Sequence, residues 1–217
     1  MIETLLPPQV NAIDQLGEDG DAAPLPEEEP LIKGAVAARR AEFATARSCA
    51  RQALRNLGLP AGPILRGAKR EPLWPAGIVG SITHCTGYRA AAVARATEVL
   101  TIGIDAEPHA AIEARVTERV LDDAERAWIA GAPVGIHWDR LIFSAKESVY
   151  KAWFPLARRW LGFEEARVAV DPDAGAFRAR LLIEPPAGVP VEFNGRYLIK
   201  DGLVLTAIVV RCGRAQT

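Results

Sequence analysis

The order of helix and strand signals constrains the fold of this chain more than any other feature. Leu31 to Leu57 is rich in helix-forming residues and is followed by two strand-like segments, Ile78 to His84 and Tyr88 to Ala96. Later helical segments are again followed by strands, two of which flank Asp201 and Gly202, a pair that favours a tight hairpin turn. Because helices precede meandering strands twice, the sequence predicts an α+β protein of two similar halves.

We expect these halves to span residues 1–102 and 103–217, each with a helix packed on a small antiparallel sheet. A pseudo-twofold axis would relate them, which is inferred from periodicity because no sequence repeat is found. A ligand site would lie in the crevice between them, and the internal symmetry favours a monomer. With 217 residues, of which 49% are hydrophobic, the chain can bury the core that this arrangement needs.

Prolines and acidic residues mark several boundaries. Five prolines make the first thirty residues mostly loop, with room for a short strand near Gln9 to Ile13. The acids Glu27 to Glu29 suit the positive start of the long helix, which Gly58 would end. Pro60 to Pro75 reads as a loop, and Ala111 to Ala130 is predicted as one helix.

The charge of the chain is unevenly distributed. Residues 1–30 carry eight Asp or Glu and no Lys or Arg, which leaves 26 basic and 19 acidic residues in the remainder. A net positive charge on residues 31–217 would attract a nucleotide, a nucleic acid or an acidic protein. The alternative is an ordinary mixed surface with an acidic N-terminal tail. Nucleic acid is disfavoured because aromatic residues are only 6% and no basic run is interleaved with them.

Cysteine usage and hydropathy indicate the compartment. Cys49, Cys85 and Cys212 have no metal-binding spacing, and their odd number fits free thiols in a reducing environment. The N-terminus lacks a basic region followed by an apolar run, and no apolar stretch of about 18 residues occurs. We therefore expect a cytoplasmic protein that does not associate with membranes.

The segment Gly103 to Glu107, GIDAE, places two carboxylates where they can share one cation. Side chains alternate along a strand, so Asp105 and Glu107 would point to one face, roughly 6 to 7 Å apart, and Ala106 to the other. Carboxylate oxygens are hard ligands that suit Mg²⁺. The alternative is a solvated strand end with no ligand.

The segment Phe143 to Lys151, FSAKESVYK, supplies a third carboxylate and two lysines. If residues 141–154 form a helix, Glu147 and Lys151 lie opposite its apolar stripe, while Lys146 is turned about 100° from Glu147. Together with the strand carboxylates, this helix face suits a magnesium pyrophosphate site. The alternative for Lys151 is a salt bridge to Glu147, four residues away.

These segments resemble the large monomeric phosphopantetheinyl transferases that activate surfactin and enterobactin synthetases. That family's signature is a GxDxE strand followed roughly forty residues later by a (W/F)xxKExxxK helix, and both are intact here. Upstream, RRAEFATAR, ILRGAKREPLWP and GSITHC also look like family segments, most similar to those of the actinobacterial carrier-protein activators. The likeness spans most of residues 25–165.

The resemblance implies the 4'-phosphopantetheinyl transferase fold and the activity of a holo-acyl-carrier-protein synthase. The phosphopantetheine arm of coenzyme A would move to a serine of an apo acyl or peptidyl carrier protein, releasing adenosine 3',5'-bisphosphate. The implied cofactor is Mg²⁺, or Mn²⁺, and the implied partners serve fatty acid, polyketide and nonribosomal peptide biosynthesis. The first half would contact the 3'-phosphate and adenine, and the second would hold the metal.

Roles in the second half follow from the same resemblance. Asp105, Glu107 and Glu147 would be the metal ligands, and Asp105 would also contact coenzyme A. Glu147, or a water beside it, would take the proton of the carrier serine, and Lys151 would stabilise the leaving phosphate. Lys146 would contact coenzyme A or brace the interface between the halves. A water would fill the coordination position that the methyl group of Ala106 cannot supply.

Roles in the first half concern the phosphates of coenzyme A. The resemblance implies that His84, with Thr83 beside it, donates a hydrogen bond to a phosphate of coenzyme A. The alternative is that His84, which follows a strand, has only a structural role. Arg40 competes with Arg39 because it lies almost two turns from Arg47, and each could instead be a solvated helix charge. The basic candidates for the 3'-phosphate are Arg39, Arg47, Arg66 and Lys69.

Two other functions and one surface remain as hypotheses. A non-catalytic coenzyme A sensor would not need three carboxylates together, whereas a metal-dependent pyrophosphatase would use the same site with water as acceptor. Carrier docking is expected near Trp153 to Phe163, where Arg158 and Arg159 could contact acidic carrier helices or simply be solvated.

Overall fold

The computed structural model describes residues 1–17 and 19–213 and confirms the α+β class. Its residues form two compact units. The first comprises Met1–Ile102 together with the end of the chain from Val210, and the second comprises Gly103–Val209. No helix in the described part of the chain has both the length and the apolar character that crossing a membrane requires.

The first unit is a helix packed on a three-stranded antiparallel sheet. Its elements are β1 (Asn11–Leu16), α1 (Ala37–Asn56), β2 (Ile78–Cys85) and β3 (Tyr88–Arg95), and the strand order is β1-β3-β2. Small residues of the helix, such as Ala50 and Ala53, pack against Ala91 and Val93 of β3, which lets the helix approach the sheet closely.

The predicted start of α1 was wrong, whereas its end was confirmed. The helix begins at Ala37 because the preceding chain forms a short 3-10 turn over Glu29–Ile32, and Gly34 then adopts a φ of +80°. Glu28 does not mark a helix start but is completely buried. The helix ends before Gly58, whose φ of +77° is the left-handed conformation that favours glycine.

The second unit is built around a five-stranded sheet. The elements are β4 (Val99–Pro108), α2 (Ala114–Val120), α3 (Asp123–Gly131), α4 (Trp138–Ala157), β5 (Ala166–Asp171), β6 (Ala176–Leu181), β7 (Glu192–Lys200) and β8 (Leu203–Arg211). The strand order is β4-β8-β7-β6-β5, and each strand from β5 to β8 pairs antiparallel with the next one in sequence. Asp201 and Gly202 both have positive φ, as a two-residue hairpin between β7 and β8 requires, so that prediction was confirmed.

The single helix predicted over Ala111 to Ala130 is in fact two helices. α2 ends at Val120, and Asp122 caps α3 by accepting a hydrogen bond from the backbone N–H of Glu125. The Glu125 carboxylate in turn accepts from the backbone N–H of Asp122, which completes a capping box. The spacing of Asp122 and Glu125 is the sequence signal for a helix start at this point, and hydrophobic periodicity does not contain it.

Candidate active site

Strand β4 and helix α4 approach each other closely at Gly103. A side chain at this position would overlap the carbonyl oxygen of Ser148, so only glycine fits. Because Gly103, Asp105 and Glu107 share one face of β4, the two carboxylates face the same helix. Ala106 lies on the opposite face and is only 1% exposed, so its side chain is turned away from the two carboxylates, and a water in the remaining coordination position stays a prediction.

Asp105 is the buried centre of the second unit's charged cluster. Its Oδ1 accepts a hydrogen bond from Lys151 Nζ at 2.7 Å, and its Oδ2 accepts from Ser144 Oγ at 2.8 Å. Lys151 also donates to the backbone oxygen of Ile104 at 3.0 Å. The lysine is thus held at the strand, where its charge balances that of Asp105.

Glu107 lies further along the same face and is less buried. Its Oε2 accepts from Arg140 Nη1 at 2.9 Å. The pKa of Glu107 is nevertheless raised from 4.5 to about 7, first because burial disfavours the charged form and then because Asp105 is nearby. Arg140 lowers that pKa without offsetting the other two effects, so the site holds a carboxyl group that titrates near neutral pH.

Glu147 on α4 belongs to the same electrostatic cluster. Its pKa is raised by burial and by the charge of Asp105, and is lowered in part by Lys151. Glu147 also lines a cavity of about 60 Å³, together with aromatic and small residues that follow the helix. The other lining residues are Lys146, Tyr150, Trp160, Leu161, Gly162, Phe163 and Ala166.

A polar stripe on α4 contains two site residues that the sequence analysis missed. Arg140, Ser144, Glu147 and Lys151 recur at intervals of three or four residues, which places them on one side of the helix. Arg140 binds Glu107, and Ser144 binds Asp105. The spacing of Arg140 and Ser144 relative to Glu147 and Lys151 was a signal in the sequence, but only Glu147 and Lys151 were assigned to this face.

The three carboxylates fit a divalent cation by their chemistry rather than by a preformed cage. Among residues 1–17 and 19–213, no group of three or more His, Cys, Asp or Glu side chains is arranged to hold a metal ion. Asp105, however, raises the pKa of both Glu107 and Glu147, and a bound cation would relieve this repulsion between hard oxygen ligands. The metal-binding role of all three stays a prediction.

Lys146 does not have the role expected for it. Its side chain is 2% exposed, and its ammonium group donates to Val120 O at 2.7 Å, Glu125 Oε2 at 2.8 Å and Phe163 O at 3.0 Å. All three hydrogens therefore have acceptors, and all three acceptors lie within the second unit. Neither a contact with coenzyme A nor a brace between halves agrees with this geometry.

The first unit contains a basic cavity of about 180 Å³. It brings together four of the predicted residues, which come from α1, from the loop after it and from β2. The cavity is lined by Arg39, Arg47, Arg66, Arg70, Pro72, Ile82 and His84. Because no acidic side chain is among these lining residues, the cavity is suited to an anion.

Arginine side chains in this cavity are stacked and crowded. The guanidinium of Arg47 lies 3.5 Å from the centre of the Phe43 ring, and that of Arg66 lies 5.1 Å from the same centre. Burial, followed by the charge of Arg66, lowers the pKa of Arg47 to about 10. Burial and the charges of Arg39 and Arg70 lower the pKa of Arg66. A bound anion would therefore reduce the repulsion among these guanidinium groups.

His84 and Arg39 meet at the side of the same cavity. Arg39 Nη1 lies 2.8 Å from His84 Nε2 and also donates to Glu42 Oε2 at 3.0 Å. Arg40 instead pairs with Glu29 at 2.7 Å and is not among the lining residues. Of the two competing helix arginines, Arg39 is therefore the one at the cavity.

Two predicted contacts are not at the cavity. Lys69 is exposed, and it is Arg70 that lines the cavity, with a φ of +70° in the loop. Thr83 is 2% exposed and, by strand alternation, points to the face of β2 opposite His84. Neither side chain lines this cavity, and contacts of Lys69 and Thr83 with coenzyme A stay a prediction. Nothing in the sequence marks Arg70 for the left-handed conformation.

Comparison with known proteins covers nearly all of these residues. Residues 27–94 match the 4'-phosphopantetheinyl transferase N-terminal domain, and residues 101–204 match the 4'-phosphopantetheinyl transferase superfamily.

The chain is 51% identical over 195 residues to the 4'-phosphopantetheinyl transferase PptT of Mycobacterium tuberculosis, covering 86% of each protein. It is 49% identical over 219 residues to Svp of Streptomyces mobaraensis, covering 97% of this chain and 89% of Svp. It is 47% identical over 219 residues to Npt of Nocardia iowensis, covering 96% of this chain and 99% of Npt. Svp and Npt are likewise 4'-phosphopantetheinyl transferases.

Proposed function

Because this chain belongs to the 4'-phosphopantetheinyl transferase superfamily, we propose that its two charged clusters transfer the phosphopantetheine arm of coenzyme A to a carrier-protein serine. The observation that carries the proposal is the cluster of Asp105, Glu107, Glu147 and Lys151. Two of its carboxyl groups have raised pKa values beside a buried, lysine-bound aspartate. Such coupled acids are arranged for proton and phosphate chemistry rather than for stability.

The basic cavity of the first unit binds the 3'-phosphate of coenzyme A in this proposal. Arginine guanidinium groups bind phosphate bidentately, and Arg39, Arg47 and Arg66 converge on one cavity together with His84. Arg70 adds a fourth guanidinium that the resemblance did not suggest. A dianionic phosphate would offset the repulsion that lowers the pKa values of Arg47 and Arg66.

The carboxylate cluster of the second unit acts on the pyrophosphate. The serine oxygen forms a bond to the phosphorus that carries pantetheine, and the bond from this phosphorus to the bridging oxygen breaks. Adenosine 3',5'-bisphosphate leaves with the electron pair. Asp105, Glu107 and Glu147 would hold Mg²⁺, or Mn²⁺, which when bound neutralises charge on the pyrophosphate. Lys151, which is held beside Asp105, would donate to the pyrophosphate oxygens.

Glu147 takes the serine proton, directly or through a water. In the ligand-free protein the pKa of Glu147 is raised, first by burial and then by the charge of Asp105, so this carboxyl group holds a proton more firmly than an ordinary carboxylate.

The carrier protein would dock where α4 ends. Trp153 and Phe154 are buried, but Arg158, Arg159 and Trp160 are exposed, and Trp160 is 66% accessible. Two arginines beside an exposed tryptophan suit an acidic helix with an apolar patch. The expected partners are apo acyl and peptidyl carrier proteins.

Incubation with coenzyme A, Mg²⁺ and several apo carriers tests the proposal. Intact-mass spectrometry should show each carrier heavier by one phosphopantetheine group, and a carrier whose acceptor serine is replaced by alanine should stay unmodified. Consumption of coenzyme A without carrier modification would indicate the pyrophosphatase instead. Binding of coenzyme A without either reaction would indicate a sensor.

A further inference from the structure

Glu28 is a completely buried carboxylate behind the basic cavity. Its Oε1 accepts from the backbone N–H of Ile64 at 2.8 Å, and its Oε2 accepts from that of Leu25 at 2.9 Å. Arg51 Nη1 donates to both oxygens, at 3.2 and 2.9 Å. A buried charge is tolerated only when it is fully bonded, so these contacts hold Glu28 in one position.

The same contacts connect Glu28 to two arginines of the cavity. Arg47 Nε donates to the carbonyl oxygen of Ile64 at 3.2 Å and lies 4.0 Å from Glu28 Oε1. Ile64 is therefore held from both sides, through its N–H by Glu28 and through its C=O by Arg47. Arg66 follows two residues later and lies over the same Phe43 ring as Arg47. A shift of Glu28 would move both guanidinium groups.

The position of Glu28 also satisfies an electrostatic requirement. The crowded arginines repel one another when no anion is bound, so they need an anchor. An acid lining the cavity would compete with phosphate for them. Glu28 is not among the lining residues, and its two oxygens are occupied by Arg51 and by backbone N–H groups. It can thus attract Arg47 from behind without occupying the phosphate position.

We infer that Glu28 is a positioning residue for recognition of the 3'-phosphate, acting through Ile64 and Arg47 on the cavity. The inference rests on the proposed function of that cavity. Replacement of Glu28 should weaken binding of ligands that carry the phosphate and should spare those that lack it.

Dephospho-coenzyme A, which lacks the 3'-phosphate, provides the test. In Glu28→Asp the charge is kept but the side chain is too short to reach all of its partners. We expect the KM for coenzyme A to rise about tenfold, equivalent to about 1.4 kcal/mol, while the KM for dephospho-coenzyme A and both kcat values change less than about twofold. Glu28→Gln, which removes the charge, should have the larger effect.

The control is Leu54→Ala, which destabilises the core of the same unit at a residue that does not line the cavity. It should leave the ratio of the two KM values unchanged. Equal rises in both KM values for the Glu28 variants, or a loss of folding in both variants, would overturn the inference by making Glu28 a purely structural residue. A wild-type enzyme that does not distinguish the two substrates would instead contradict the assignment of the cavity. Failure to modify any carrier would contradict the proposed function itself.

Discussion

At the scale of single residues, Asp105 determines the behaviour of its neighbours. It is buried and bound by Lys151 and Ser144, and its charge adds to the larger effect of burial in raising the pKa of Glu107 and Glu147. One aspartate thus prepares one carboxyl group as a candidate base and another as a group that titrates near neutrality.

Replacing Glu147 with glutamine should separate chemistry from folding. We expect Glu147→Gln to lower the rate of carrier modification by at least about 10²-fold, because a general base typically contributes 10² to 10⁴. The thermal unfolding midpoint should not fall, since burial already disfavours the charged form of Glu147. Glu118→Gln, on the exposed side of α2, is the matched control and should behave as wild type. Normal turnover by Glu147→Gln would refute the assignment.

Glu107 should make stability depend on pH in metal-free buffer. Its pKa is 4.5 in the unfolded chain and about 7 in the folded protein, so the unfolded state loses its proton first as the pH rises. The contribution is absent below about pH 4.5 and becomes increasingly destabilising up to about pH 7, reaching on the order of 3 kcal/mol. Urea unfolding at several pH values should show this loss in the wild type and not in Glu107→Gln. Parallel pH profiles for the two proteins would contradict the prediction.

At the scale of secondary-structure elements, α4 is held by an apolar face and by one buried ion pair. Ile142, Val149 and Trp153 are fully buried. Lys146 connects the helix through Glu125 to α3, and through backbone oxygens to the end of α2 and to the Phe163 turn. The helix that carries Glu147 is thereby fixed to the wall of the cavity beside it.

Removing Lys146 should lower the stability of the protein because its buried partner, Glu125, would lose its counter-charge. We expect Lys146→Met to lower the free energy of unfolding by about 3 to 5 kcal/mol, because Glu125 would remain buried and uncompensated. The double variant Lys146→Met/Glu125→Gln should be more stable than Lys146→Met, since no unpaired charge remains. Its KM for coenzyme A should be that of the wild type. Lys69→Met, an exposed change, should shift stability by less than about 0.5 kcal/mol. Purely additive losses in the double variant would contradict this explanation.

At the scale of the whole molecule, both units follow one plan, a twenty-residue helix packed on a sheet with charged residues at its side. The first unit concentrates arginines around Phe43, and the second concentrates carboxylates around Asp105. Each unit thus offers the chemistry that the proposed function asks of it, cations for a phosphate in the first unit and carboxylates for a metal in the second.

Metal removal should abolish the activity of the intact protein reversibly. With a chelator present, carrier modification should fall to background, and added Mg²⁺ or Mn²⁺ should restore it. Mg²⁺ should also raise the thermal unfolding midpoint of the wild type and not that of Asp105→Asn, a readout that does not depend on activity. Full activity in the chelator would contradict the metal assignment.

The parts of the fold that depend on local chain properties were predictable. Alternation in GIDAE and the apolar period of residues 141–154 identified β4 and α4, because side-chain direction repeats within a few residues. The hairpin at Asp201 and Gly202 was equally local. The start of α1 could not be predicted from local properties. It depends on a turn beside Glu28, and Glu28 is bound by Ile64, which is distant in the sequence.

The sequence by itself determined the α+β class, the family and the residue types of both clusters, because these follow from local periodicity and from motifs of fixed spacing. Only the tertiary structure decided which side chains lie in the two clusters. It selected Arg39 over Arg40 and Arg70 over Lys69, and it turned Lys146 inward to Glu125. The physical reason is that burial and pairing depend on partners distant in the chain, whose positions no local pattern contains.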